Sequence, residues 1–77
     1  MNLNIHYFGM LAEHTQRGQD TVADFSGNVG ELLEILEALH PGLKAFTFQV
    51  AQGHEITSPD HPVEHHNISL LPPFAGG

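Results

Sequence analysis

The residue types and spacing most suited to chemistry lie at the end of the sequence, in Pro72-Pro73-Phe74-Ala75-Gly76-Gly77. Leu71 precedes a proline, so clash with the ring pushes it toward extended geometry, and two successive prolines hold φ near the polyproline value. A stiff arm leaving the body is expected. Gly76 and Gly77 carry no Cβ, so their backbone fits a slot too narrow for any other residue and presents a bare carboxylate. At full extension the stretch from Phe74 to Gly77 reaches about 13 Å. The competing reading is a frayed chain end; the apolar run Ile68, Leu70, Leu71 before the arm and the aromatic Phe74 within it favour the functional one.

Histidines supply the other candidate chemistry. There are seven, and His61, His65 and His66 lie close together with Asp60 and Glu64 between them. His61 and His65 would share a face only on a helix, which Pro62 and the neighbouring turn residues oppose. No metal site is therefore expected, and the segment reads as a solvated loop whose charge rises as pH falls through the histidine range. Ser26, Ser58 and Ser69 sit in no nucleophile-elbow context, no glycine-rich phosphate loop opens a helix, and the carboxylates are scattered rather than paired. Turnover by the domain alone is not expected; the reactive group it can offer is the carboxylate of Gly77.

Composition narrows the class further. A chain of 77 residues is one domain, and it buries only roughly 60% of the surface its unfolded form exposes. Without cysteine there is no disulfide and no thiolate, so the fold rests on a single apolar core and any sulfur chemistry must use another group. Nine acidic residues against Arg17 and Lys44 give a net charge of -7, which repels phosphate backbones and favours a basic protein surface as partner. No apolar run is long enough to span a bilayer and no leader pattern opens the sequence, so a cytoplasmic protein with neither nucleic-acid nor membrane partner is expected.

The elements that must carry the arm follow from periodicity. Asn2 to Phe8 alternates, with Leu3, Ile5 and Tyr7 on one face, and reads as a half-buried strand. Gly9 breaks it, Met10 to Glu13 fits a short helical turn, and Asp20 to Phe25 is a second strand of ambiguous facing. Asn28 reads as a helix N-cap with Glu31 completing a capping box. Val29, Leu32, Leu33, Leu36 and Leu39 then recur on one helical face until Pro41-Gly42 ends the helix. Phe46, Phe48 and Val50 read as a third strand, Gln52-Gly53 as a hairpin turn into a weak strand at Glu55-Ile56-Thr57, and Ile68 to Leu71 as the last strand. One helix on one face of a small mixed sheet, an α+β arrangement, is the economical packing.

Taken together, Leu3-Asn4-Ile5-His6-Tyr7-Phe8-Gly9, Asn28-Val29-Gly30-Glu31-Leu32, Asp60-His61-Pro62-Val63 and, above all, Leu71-Pro72-Pro73-Phe74-Ala75-Gly76-Gly77 resemble the small subunit of molybdopterin synthase, within the ubiquitin-like β-grasp sulfur carriers. The resemblance covers residues 1–77, and the double proline favours this branch over the thiazole-synthesis carriers. It implies a β-grasp domain over 1–77 whose first and last strands run parallel at the sheet centre, with 72–77 as a protruding tail. It implies no bound cofactor. An adenylyltransferase related to ubiquitin-activating enzymes would use ATP on the Gly77 carboxylate, and a sulfur donor protein would convert it to a thiocarboxylate. The tail, with Pro72, Pro73, Phe74, Ala75 and Gly76 guiding Gly77, would then enter the large catalytic subunit and yield its sulfur to a pterin precursor. The family often has an Arg just after the first strand, where Ala12-Glu13 stands here, so a salt bridge to the activating enzyme would be absent or replaced. A carrier for another sulfur-containing product, a ubiquitin-like modifier and a plain interaction or histidine-dependent metal-binding module are the alternatives.

Overall fold

The structure, a computed structural model, describes residues 1–73. Alternation builds the first strand, β1 (Leu3–Tyr7), whose Leu3, Ile5 and Tyr7 are all buried. Gly9 breaks the strand and starts α1 (Met10–Thr15), longer than the expected turn; Thr15 closes it by donating its hydroxyl to the Leu11 carbonyl at 3.0 Å. Next comes β2 (Gln19–Val22), which ends three residues before Phe25 rather than reaching it. The reason is local: Asp24 adopts a left-handed φ of 55°, incompatible with a continuing strand. The facing left open by the sequence is settled, with Asp20 and Val22 turned inward.

The main helix, α2 (Val29–Leu39), begins as its capping residues dictate. Asn28 Oδ1 accepts from the Glu31 N–H at 2.8 Å and the Glu31 carboxylate accepts from the Asn28 N–H at 2.9 Å. Val29, Leu32 and Leu36 are buried against Leu3, Ile5, Ile68 and Leu70 in one cluster, while Leu33 is only partly buried. Leu39, expected on the core face, is instead 53% exposed at the last residue of the helix. Glu37 turns back on the following 3-10 turn (Leu43–Ala45), accepting from the N–H groups of Lys44 at 2.9 Å and Gly42 at 3.0 Å. Those backbone hydrogen bonds hold its carboxyl below the usual range.

The third strand differs from expectation. Phe46 and Phe48 lie before it, partly buried against the core, and β3 spans Gln49–Gln52. Alternating aromatics over an irregular approach segment mimic a strand's period without its ladder. β4 (Glu55–Thr57) follows through a two-residue turn in which Gly53 has φ 60° and His54 does not share it, as a type II′ hairpin requires. The last strand, β5 (Asn67–Leu71), lies between β1 and β3, in the order β2-β1-β5-β3-β4. β1 and β5 run parallel, with Tyr7 opposite Leu70, and every other pairing in the sheet is antiparallel. The result is a mixed five-stranded sheet with one main helix, an α+β fold. Among the described residues no helix is long and apolar enough to cross a membrane.

Candidate functional site

β5 is the middle strand of the sheet and is paired on both sides, so the residues leaving its end leave a restrained strand. After Leu71, Pro72 and Pro73 are exposed. Pro72 rests over the start of α1: a Cβ on Gly9 would stand 3.1 Å from Pro72 Cγ, and Gly9 itself holds φ 59°. The absence of a side chain there thus allows both the turn into α1 and the close passage of the proline. The Phe8 N–H donates to the Leu70 carbonyl at 3.3 Å, tying the same corner. Beside it lies an apolar groove of about 340 Å³ lined by Met10, Leu11, Ala45, Phe46, Pro72 and Pro73, with Phe8 exposed nearby. Phe74, Ala75, Gly76 and Gly77 fall outside the described residues, so of the expected arm only its two prolines are placed.

Behind this corner is a polar network that the sequence reading missed. Asp20, buried on β2, accepts from the Tyr7 hydroxyl at 2.8 Å, from His40 Nε2 at 2.6 Å and from Arg17 at 2.5 Å. Tyr7 and His40 also meet edge to face, with ring centroids 5.5 Å apart. Burial works against the charge on Asp20, but the hydrogen bonds from His40, Arg17 and Tyr7 outweigh it and hold the carboxyl below its ordinary range. Burial, reinforced by the neighbouring Asp20, pushes the Tyr7 phenol well above its usual value, so it stays a donor. Available signals were the hydroxyl of an inward-facing Tyr7, which needs a partner, and the two-residue step from Asp20 to Val22 that puts both on one face.

The histidine segment forms a separate region at the far end of the sheet. His61 and His65 line an open cleft of about 640 Å³ with Gln52, Glu55, Thr57 and Glu64. His66 turns away, donating from Nδ1 to the Asn2 carbonyl at 3.0 Å, and His65 Nδ1 accepts from the Asn67 N–H at 3.2 Å. Among the described residues no group of three or more histidine or carboxylate side chains is arranged to hold a metal ion.

No family model and no curated protein matches the chain. Solved structures do. Small archaeal modifier protein 1 from Haloferax volcanii aligns over 100% of both chains with a TM-score of 0.82 at 24% identity. A second structure of the same protein covers 95% of this chain and 98% of its own, with a TM-score of 0.80 at 22% identity. A structure from Pyrococcus furiosus, named as a candidate molybdopterin converting factor, subunit 1, covers 96% of this chain and 99% of its own at a TM-score of 0.85 and 15% identity. At such identities the likeness speaks for architecture, and with the parallel β1–β5 pair at the sheet centre and α2 across one face it places the chain in the ubiquitin-like β-grasp fold.

Proposed function

We propose that this chain is a sulfur carrier whose working group is the carboxylate of Gly77, and that it serves as the small subunit of a molybdopterin synthase. The observation that carries the reading is the mount: a central strand paired on both sides from Ile68 to Leu70, ending at Leu71 and continuing through two exposed prolines, the first of them seated against Gly9. Such a mount fixes the direction in which a short peptide departs, so that Phe74, Ala75, Gly76 and Gly77 can be delivered into another protein without ordering cost at the root. The β-grasp likeness to a protein named as a molybdopterin converting factor subunit supports the same assignment.

In this reading an adenylyltransferase joins the Gly77 carboxylate to the α-phosphate of ATP with release of pyrophosphate. Sulfide-level sulfur supplied by a sulfur donor protein then attacks the acyl carbon, AMP leaves with the bonding electron pair, and a thiocarboxylate remains. The large subunit accepts the tail, the sulfur bonds to a pterin precursor, and water attacks the acyl carbon as its bond to sulfur breaks, restoring the carboxylate. The chain contributes a thin approach through Gly76, an aromatic at Phe74 and the rigid root of Pro72 and Pro73; it binds no cofactor of its own. Its acidic surface suits basic partner surfaces, and the reaction sequence belongs to the cytoplasm. Intact mass spectrometry after incubation with ATP, an adenylyltransferase and a sulfide source is the test. Exchange of one oxygen for one sulfur at Gly77 is expected; an unchanged mass in the presence of an active adenylyltransferase, or cofactor synthesis in cells unaffected by trimming Gly76 and Gly77, refutes it.

A second reading is favoured by a specific likeness, to a protein named as an archaeal modifier. There the same activated Gly77 would be attacked by an amine, and covalent conjugates rather than sulfur exchange would appear in the same experiment.

A further inference from the structure

We infer that the Met10 thioether is an oxidation site at the root of the arm, and that its conversion to the sulfoxide by a peroxide lowers sulfur loading of Gly77. The inference rests on the reading of Gly77 as an activatable carboxyl end and adds a control to it. The chain has no cysteine and two methionines, so Met1 and Met10 carry all of its sulfur. Met10, the first residue of α1, is 63% exposed, more than any other large apolar side chain among the described residues. An exposed, unbranched thioether is open to a small oxidant without any unfolding.

Its position gives the modification a consequence. Met10 follows Gly9, on which Pro72 closes, and lines the groove of about 340 Å³ with Leu11, Ala45, Phe46 and both prolines. Phe8, two residues earlier, is exposed as well, so apolar surface is gathered at this corner. The arm beyond Pro73 is four residues, about 13 Å at full extension. An adenylyltransferase that encloses the Gly77 carboxylate therefore comes up to the prolines and covers the groove beside them, and an apolar side chain of that enzyme is the occupant its lining suits. A sulfoxide puts a polar S–O group into this contact, which must give up water as the enzyme closes over it. Met1 serves as an internal comparison. It precedes β1, and because β1 and β5 run parallel it lies at the end of the sheet away from the arm.

The step balances. A lone pair on the Met10 sulfur attacks one peroxide oxygen, the O–O bond breaks, and the departing hydroxide takes the proton from the transferred oxygen to become water. The thioether is oxidised by two electrons to the sulfoxide and the peroxide is reduced. A reductase drawing on a pair of thiols reverses the change, releasing the oxygen as water and leaving a disulfide.

The test treats the full chain with hydrogen peroxide, removes the peroxide with catalase, and then adds ATP, an active adenylyltransferase and sulfide. Peptide mapping should find one added oxygen on Met10, with the circular dichroism spectrum and Tm unchanged. Thiocarboxylate formation should fall roughly tenfold at low chain concentration, through a higher KM with kcat preserved, the size expected when one apolar side chain is no longer buried on binding. Met10→Leu keeps apolar surface without the thioether, and its rate should be the same with and without peroxide treatment. Methionine sulfoxide reductase with a thiol reductant should restore the treated, unsubstituted chain. A Met10 left unmodified, an oxidised chain that loads at the untreated rate, or a Met10→Leu chain that loses as much as the unsubstituted one overturns the inference and leaves the carrier reading standing. Failure of the untreated chain to load at all overturns the carrier reading, and this inference with it.

Discussion

Replacing Asp20 by Asn keeps the side chain's shape and removes its charge, and the structure sets the size of the effect. Three donors converge on the carboxylate, at 2.8 Å from Tyr7, 2.6 Å from His40 and 2.5 Å from Arg17. The Arg17 side chain is 58% exposed, so its share is screened by solvent and contributes little. The bonds from Tyr7 and His40 are the buried ones. Turning each from a charge-assisted into a neutral hydrogen bond loses about 1 to 1.5 kcal/mol, or about 2 to 3 kcal/mol for the pair. A chain of this length has about 4 to 12 kcal/mol of stability in all, so the loss is large, and it should lower Tm by about 10 to 20 °C. The pH dependence has a definite sign. Because the folded carboxyl lies below its unfolded value, its contribution is present above the unfolded pKa and disappears as pH falls through the folded one. Urea unfolding followed by circular dichroism should therefore show Asp20→Asn with a lower midpoint at pH 7 and a gap that narrows as pH falls below about 4, the unfolded value. Equal midpoints at pH 7, or a gap that persists undiminished at the acid limit, would refute the assignment of Asp20 as an ionised anchor.

Other positions give narrower tests. Gly9→Ala places a methyl group 3.1 Å from Pro72 Cγ on a backbone with φ 59°; it should cost about 1 to 3 kcal/mol in thermal unfolding and shift the amide resonance of Leu71. Gly53→Ala, whose Cβ would stand 2.9 Å from His65 Nε2, should cost about 1 kcal/mol and leave that resonance in place, because the His65 ring can swing outward. Asn28→Ala removes the acceptor for the Glu31 N–H and should cost about 1 kcal/mol with no change in any reaction at Gly77. One alanine appended after Gly77 should abolish sulfur transfer while leaving the circular dichroism spectrum and Tm unchanged; retained transfer would count against the carboxylate of Gly77 as the working group.

Local signals were legible and distant ones were not. Asn28 and Glu31 are three residues apart, so their reciprocal bonds could be read as a pattern, and both form. The alternation of Leu3, Ile5 and Tyr7 likewise needs only its own strand, and all three are buried. Phe46 and Phe48 show the limit of that method: two aromatics at a strand's spacing lie on an irregular segment, because partial burial against the core selects apolar residues whether or not a ladder follows. Leu39 shows another, since helical period places it on the buried side, yet it is the last residue of the helix and is 53% exposed. The Asp20 network escaped altogether. Its members are 3, 13 and 20 residues from Asp20, and no local rule links a tyrosine on one strand to a histidine capping a helix. Of the arm, the double proline and the strand that feeds it could be read directly, whereas Gly9, which makes room for Pro72, gave only a strand break as its sign.

The two polar devices of the molecule lie at opposite ends of the sheet, and the parallel register of β1 and β5 makes the difference matter. Tyr7 faces Leu70, Phe8 donates to Leu70 and Gly9 underlies Pro72, so three consecutive residues of one segment hold the last steps of the other. Asp20 grips the first of those three, and His40 brings the end of α2 to the same carboxylate. The charge buried at Asp20 is thus placed where it restrains the root of the arm through one covalent step on each side. At the far end, Gly53 donates to Asn67 and His65 closes over it, four residues before the strand ends. A fold that needed only stability could have filled the Asp20 site with apolar side chains at no loss. Retaining a buried carboxylate with three donors there ties β1, β2 and α2 together at the end of the sheet where β5 ends, and under the proposed carrier function that is the end whose orientation a partner would meet.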